Sequence, residues 1–145
     1  MHLSEIRARI MQIHFLNNLP EDIRLRVAML FLGIGHEMTA TDGHIIFREG
    51  EPDNDLAFVL LDGRVQVEKT EAPAISAPAP DVLGELIKFN PIPRRSATVI
   101  AEGEAKLLKF AWDDFFVSAQ KMFTADELTL LRQALEDIAW EHFAV

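Results

Sequence analysis

Leu56-Ala57-Phe58-Val59-Leu60-Leu61-Asp62-Gly63-Arg64-Val65-Gln66-Val67-Glu68-Lys69 decides the fold class of this 145-residue chain. Residues 56–61 read as one short strand. Residues 64–69 read as a second, with Val65 and Val67 on one face. Asp62-Gly63 between them is a hairpin signal, because a type I′ turn needs positive φ at both central positions. Outward from this pair the same pattern repeats. Residues 44–48 form a strand ended by Glu49-Gly50-Glu51-Pro52, and residues 96–101 and 105–110 form two more, joined by Glu102-Gly103-Glu104. Closely spaced short strands with Gly-rich turns predict a sandwich or a jelly-roll barrel. The strands are interrupted at residues 72–80, whose three prolines predict an extended, poorly ordered loop.

Both flanks are helical. Ile6, Ile10, Ile13 and Leu16 recur at spacings of three and four, which puts them on one face of a short amphipathic helix. Asn17-Asn18 breaks it, and Leu19-Pro20-Glu21-Asp22 starts another, with proline near the first turn and acids at the positive end of the dipole. Ile23, Val27, Leu30 and Phe31 carry this helix to Gly33. At the other end, Thr124-Ala125-Asp126-Glu127 fits a capping box. The stripe Leu128, Leu131, Leu135 and Ile138 follows, continuing to Trp140 and Phe143. The whole is expected to be mainly β with flanking helices in a single domain. Helices occupy 1–33, the strands of the sandwich or jelly-roll barrel 34–110, and C-terminal helices 111–145.

Composition narrows the function. Apolar residues make up 49% and charged residues 26%, the balance of a globular protein, and the length suffices for a real core. Fourteen Lys and Arg against 23 Asp and Glu leave a net charge of −9, which opposes nucleic acid as a partner. No apolar run approaches the roughly 18 residues of a membrane span, so no membrane insertion is expected. The N-terminus lacks a basic region followed by an apolar stretch and cleavage site, and a cytoplasmic location is expected. The absence of cysteine excludes disulfides, thiol nucleophiles and Cys-ligated metal.

One stretch reads as a binding site: the run from Gly84-Glu85-Leu86-Ile87 through Pro91, Pro93, Arg94 and Arg95 to Ser96-Ala97-Thr98-Val99. A carboxylate and a guanidinium stand at its two ends, and the segment between can fold so that both face one small pocket. Gly84 permits a sharp entry and close backbone approach. Residues 86–89 can make about one helical turn, ended by Pro91, and the turn's free amides favour an anion. A guanidinium at Arg95 can hold a phosphate through two parallel hydrogen bonds, while Glu85 accepts from a sugar hydroxyl. Arg94 and Arg95 are adjacent, and either one suits the role.

Together with Gly43-x-Ile45-x-Phe47-x-x-Gly50 and the strand leading into Gly63, these residues resemble a cyclic nucleotide-binding domain of the catabolite-activator and protein-kinase-A regulatory type. The resemblance covers about residues 19–143 and implies a β-jelly-roll (double-stranded β-helix) barrel at 34–110 with a C-terminal helical lid at 111–145. It implies that Glu85 holds the ribose 2′-hydroxyl and that Arg95 binds the cyclic phosphate. Backbone amides near Leu86 and Ile87, and the residue matching Ser96, would assist. Gly84, Arg94 and Ala97 complete the expected ligand-binding set, with cAMP or cGMP as ligand. The C-terminal helix would move over the base and pass the signal to a protein partner, or to a second copy by self-association. No catalysis and no cofactor are implied. Ile87 stands where family members usually carry alanine or glycine, and Lys88 replaces a usual leucine. These two residues keep open an alternative, a member of the same fold that binds no ligand and acts through protein contacts.

Other constellations give less. His2, His14, His36, His44 and His142 show no metal-ligand spacing, and a jelly-roll enzyme would need such a cluster. Asp53-Asn54-Asp55 resembles a fragment of a calcium loop without its glycine and distal glutamate, and reads as a solvated turn. Trp140 and Phe143 read as core or as a dimer seam.

Overall fold

The computed structural model of the chain describes residues 1–52, 54–84 and 94–144, the last six by backbone alone. Helix α1 spans Leu3–Met11 and buries Ile6 and Ile10. It stops short of the predicted stripe, because the Arg24 guanidinium takes the Met11 carbonyl at 2.7 Å. A 3₁₀ turn at His14–Leu16 continues the path. Ile13 and Leu16 are nonetheless fully buried beside Ile6 and Ile10, so the apolar positions were read correctly although the helix is split. Helix α2, Glu21–Ile34, carries Glu21 and Asp22 in its first turn.

Among the described residues six strands follow: β1 His36–Ala40, β2 Ile45–Phe47, β3 Leu56–Glu68, β4 Ile75–Pro78, β5 Asp81–Leu83 and β6 Thr98–Ala111. All pairings are antiparallel. The two predicted hairpins are not there. Residues 56–68 form one continuous strand and residues 98–111 another, paired with each other along their length. Gly63 has φ +90° and Gly103 φ +73°, but these positive angles serve a break in register between Leu60 and Arg64 rather than a reversal of the chain. At that break the backbones nearly touch: a Cβ on Gly63 would lie 2.5 Å from the Glu104 carbonyl oxygen. Bulges of this kind let a strand leave one sheet and enter another.

The long β3–β6 ribbon therefore belongs to two layers. At one end it is flanked by β1 and β5, at the other by β2 and β4. This is a jelly-roll-like arrangement, mainly β with helices packed against it. Among the described residues the sheet does not close into a barrel: β1 and β4 border the ribbon at opposite ends and cannot meet. The proline-rich segment also departs from expectation. Its centre, β4, pairs with Arg64–Val67, and the pyrrolidines do not prevent it because β4 is an edge strand.

The unbroken apolar run at the start of β3 has a physical reason. Ala57, Val59 and Leu61 face a cluster built with the helices, while Phe58 and Leu60 face a second cluster inside the strand layers. Both faces are dry, so the alternation of a one-sided strand is absent. After β6 the chain enters α3, Trp112–Met122, and then α4, Ala125–Ala144. The capping box forms as predicted: Thr124 N–H donates to Glu127 Oε1 at 2.9 Å, and Glu127 N–H to Thr124 Oγ1 at 3.2 Å.

Candidate functional site

Arg95 is the buried charged residue of the described chain, 4% exposed. Its main chain is fixed on both sides, with Arg95 N–H donating to the Glu51 carbonyl at 2.9 Å and Gly50 N–H to the Arg95 carbonyl at 2.8 Å. The turn that presents those groups closes through Arg48 N–H on Glu51 Oε1 at 2.8 Å, with Gly50 at φ +84°. The same edge pairs Pro52 with Arg94. Consecutive side chains of an extended segment point opposite ways, so this register sends Arg94 and Arg95 to different sides. Arg94 lies exposed, its Nη1 on the Gly50 carbonyl at 2.9 Å. Arg95 turns inward.

Inside, Asn54, Leu56 and Phe47 are among the groups that hold the guanidinium. Its Nη2 donates to Asn54 Oδ1 and to the Leu56 carbonyl, each at 2.8 Å. Its Cζ lies 4.3 Å from the centre of the Phe47 ring, a cation–π contact worth about 2 kcal/mol when desolvated. Phe47 in turn stacks on Phe58 at 6.3 Å. A guanidinium so held is a rigid donor fork, pre-set for a planar or tetrahedral oxyanion.

Gly84 forms a neighbouring wall. It has φ +95°, and a Cβ there would lie 2.9 Å from Arg95 Nη1. Its carbonyl accepts from the indole Nε1–H of Trp112 at 3.3 Å. Gly84 and Arg95, the two ends of the sequence segment, are thus side by side. Ala97 is buried and Ser96 half-buried just beyond Arg95. Glu85, Leu86 and Ile87 lie outside the described residues, as does Lys88. Trp140 and Phe143 lie beyond the described side chains.

Sequence reasoning missed four residues here. Asn54 and Asp55 were read as a solvated turn, yet the oxygen of Asn54 grips Arg95 and the carboxylate of Asp55 reaches helix α3. Phe47 was read only as part of a strand pattern, and Trp112 was not singled out. The available signal was composition: two polar residues directly before a wholly apolar strand must send their side chains somewhere, and the buried arginine is the nearby polar demand. Among the described residues no three His, Asp or Glu side chains gather as a metal site, and no helix is long and apolar enough to cross a membrane.

No curated protein matches the chain significantly. Solved structures do. The regulatory domain of Toxoplasma gondii PKA, in co-crystal with cAMP, is 25% identical with a TM-score of 0.64; the match covers 92% of this chain and 50% of that one. This chain therefore spans half the length of that relative. The N-terminal domain of a transcriptional regulator from Streptomyces coelicolor A3(2) is 22% identical with a TM-score of 0.67, covering 92% and 93%. The Thermus thermophilus catabolite activator protein is 16% identical with a TM-score of 0.65, covering 90% and 58%. The last two, at lower identity, share the fold. The family model of the cyclic nucleotide-binding domain matches residues 37–121, more than half of the sequence, running from within β1 to within α3. With an inward arginine on a jelly-roll-like sheet and this match, the chain belongs to the cyclic nucleotide-binding domain family.

Proposed function

We propose that the chain is a cytoplasmic regulatory sensor, not an enzyme, that binds a cyclic mononucleotide and relays its presence to a partner through the C-terminal helix. The observation that carries this reading is the buried guanidinium of Arg95, oriented by Asn54, the Leu56 carbonyl and Phe47 beside Gly84. A guanidinium held in a fixed orientation offers a planar donor fork that matches a phosphate. A cyclic phosphate supplies the matching anion, Glu85 the acceptor for the ribose hydroxyl, and the amides of residues 86 and 87 further donors. Ser96 and Ala97, the two residues that follow Arg95, complete the proposed ligand-binding set. That the Toxoplasma relative is crystallised with cAMP supports a purine ligand, and cAMP is the first choice over cGMP.

Calorimetric titration with cAMP and with cGMP tests this. Arg95→Ala is expected to cost roughly 2–5 kcal/mol of binding, the range for truncating a buried charged contact. Arg94→Ala, whose guanidinium sits outside on Gly50, should bind as the parent does. Equal affinity in parent and Arg95→Ala would reject the site. A second reading rests on Ile87: a β-branched residue where the phosphate would approach the backbone favours a module without ligand. Ile87→Ala then decides, because heat appearing only in that variant assigns the parent to the non-binding kind.

A further inference from the structure

Helix α3 begins without a cap of its own. The residue before it, Ala111, offers no side-chain oxygen, so the first amides of the helix need acceptors from elsewhere. Asp55 supplies them from across the sequence: its carbonyl accepts from Trp112 N–H at 3.0 Å, and its carboxylate from Asp113 N–H at 2.9 Å. To do both, Asp55 holds φ +63°, in the left-handed region where Asp is among the few tolerated residues. What keeps it there is on either side. Asn54 Oδ1 accepts from Leu56 N–H at 3.1 Å, closing the turn around Asp55. That same oxygen and the Leu56 carbonyl are the two acceptors gripped by Arg95 Nη2. The guanidinium thus holds both neighbours of the residue that caps the helix.

We propose that Asn54 and Asp55 are positioning residues that couple the Arg95 guanidinium to the first turn of α3, so that an anion at Arg95 is felt as a change in the cap. The proposal deepens the function given above and rests on it for the identity of the anion. A phosphate that draws the guanidinium changes its hold on Asn54 and Leu56. The Asp55 turn is only three residues long and cannot absorb that change without altering its bonds to Trp112 and Asp113. A ligand shifts the helix to the extent that it favours one cap arrangement over the other. Trp112 adds a second tie through its indole bond to Gly84. Because α3 packs on α2 and leads into α4, a displaced cap reaches the helical layer directly.

The test is amide exchange by NMR on the full chain, first without ligand. Asp55→Gly removes the carboxylate and tolerates the positive φ; Asp55→Asn keeps an acceptor oxygen. The Asp113 amide is expected to exchange at least tenfold faster in Asp55→Gly and within threefold of the parent in Asp55→Asn. The deciding variant is Asn54→Ala, whose lost oxygen bonds Arg95 and Leu56 rather than the helix. There Asp113 should exchange at least fivefold faster while amides in α2, such as Val27, stay unchanged. An unaltered Asp113 in Asn54→Ala overturns the coupling and leaves Asp55 a local cap, and equal acceleration at Val27 overturns it as general loosening. A second arm adds cAMP and cGMP. Heat with the parent supports the sensor reading, and Asp113 protection should then change in the parent but not in Asp55→Gly; heat without that change defeats the coupling. Absence of heat with both nucleotides defeats the sensor reading alone, since the ligand-free exchange still decides the coupling.

Discussion

Gly84 and Gly43 separate two costs that a glycine substitution usually mixes. Both have positive φ, +95° and +81°, but a Cβ on Gly43 meets nothing within 4 Å, whereas one on Gly84 lies 2.9 Å from Arg95 Nη1 and 3.4 Å from Ala57 Cα. Gly43→Ala should therefore lose only the backbone strain, about 1–2 kcal/mol. Gly84→Ala should lose that and more, because Arg95 must leave Asn54 or Leu56 to make room. Urea unfolding of the two variants gives the difference, and equal losses would mean that the guanidinium moves aside freely. At this scale the site was partly legible. The family pattern singles out Gly84 and Arg95, and the structure sets these two side by side. Sequence favours Arg95 through the Ser96-Ala97-Thr98-Val99 run that follows it, but which of two adjacent residues turns inward is decided by register alone. That register is set by the Pro52–Arg94 bridge and the Gly50 turn, forty residues upstream.

Among the elements, α4 was the easiest to read and is tied down by a residue that pattern alone could not identify. Arg26 of α2 binds the Glu127 carboxylate, donates to Asp22 at 2.5 Å and to the Met122 carbonyl at 3.2 Å, and lies 4.8 Å over the Phe123 ring. Glu127 thus closes the capping box and joins two helices at once. Its bond to the Arg26 guanidinium, with the Thr124 amide second, lowers its carboxyl from 4.5 to about 2. Hydrogen bonds to Glu127 and Asp22 raise Arg26 further above its ordinary range, so it stays charged throughout. A carboxyl lowered by folding contributes stability that is complete above its unfolded value and is lost as pH falls through the folded one. That window runs from about pH 4.5 down to about 2. Thermal unfolding between pH 6 and 2 should show the parent converging on Glu127→Gln across this window. A gap between them that stays constant would place the carboxyl outside the link. The strands were harder to read than this helix. A glycine with positive φ is demanded by a tight turn and by a bulge alike, so Gly63 and Gly103 marked real breaks in β3 and β6 without revealing that the chain runs straight on.

Across the whole molecule, the decisive property is that the β3–β6 ribbon is buried on both sides. Sequence showed the apolar residues of β3 but not the second dry face, which exists only because α1 to α4 cover what would otherwise be the outer surface of a sheet. The consequence can be measured at two neighbouring positions. Leu60 belongs to the cluster between the strand layers and Leu61 to the cluster under the helices, and each is at most 1% exposed. In a sheet with one wet face, adjacent residues alternate, and truncating the outward one costs little. Here both Leu60→Ala and Leu61→Ala should each destabilise by about 2–5 kcal/mol, the range for a buried leucine that leaves a cavity. The two losses should also differ in kind. Leu61→Ala loosens the packing of α1 and α2, and should speed exchange in those helices more than in β4. Leu60→Ala opens the interior near Phe58 and, through the stack of Phe58 with Phe47, should weaken the proposed nucleotide binding more than Leu61→Ala does. Urea unfolding with calorimetry on each single variant reads both effects. A loss under about 1 kcal/mol at either position would show that face of the ribbon to be wet, and at Leu61 it would mean that the helices are not the second wall of the core.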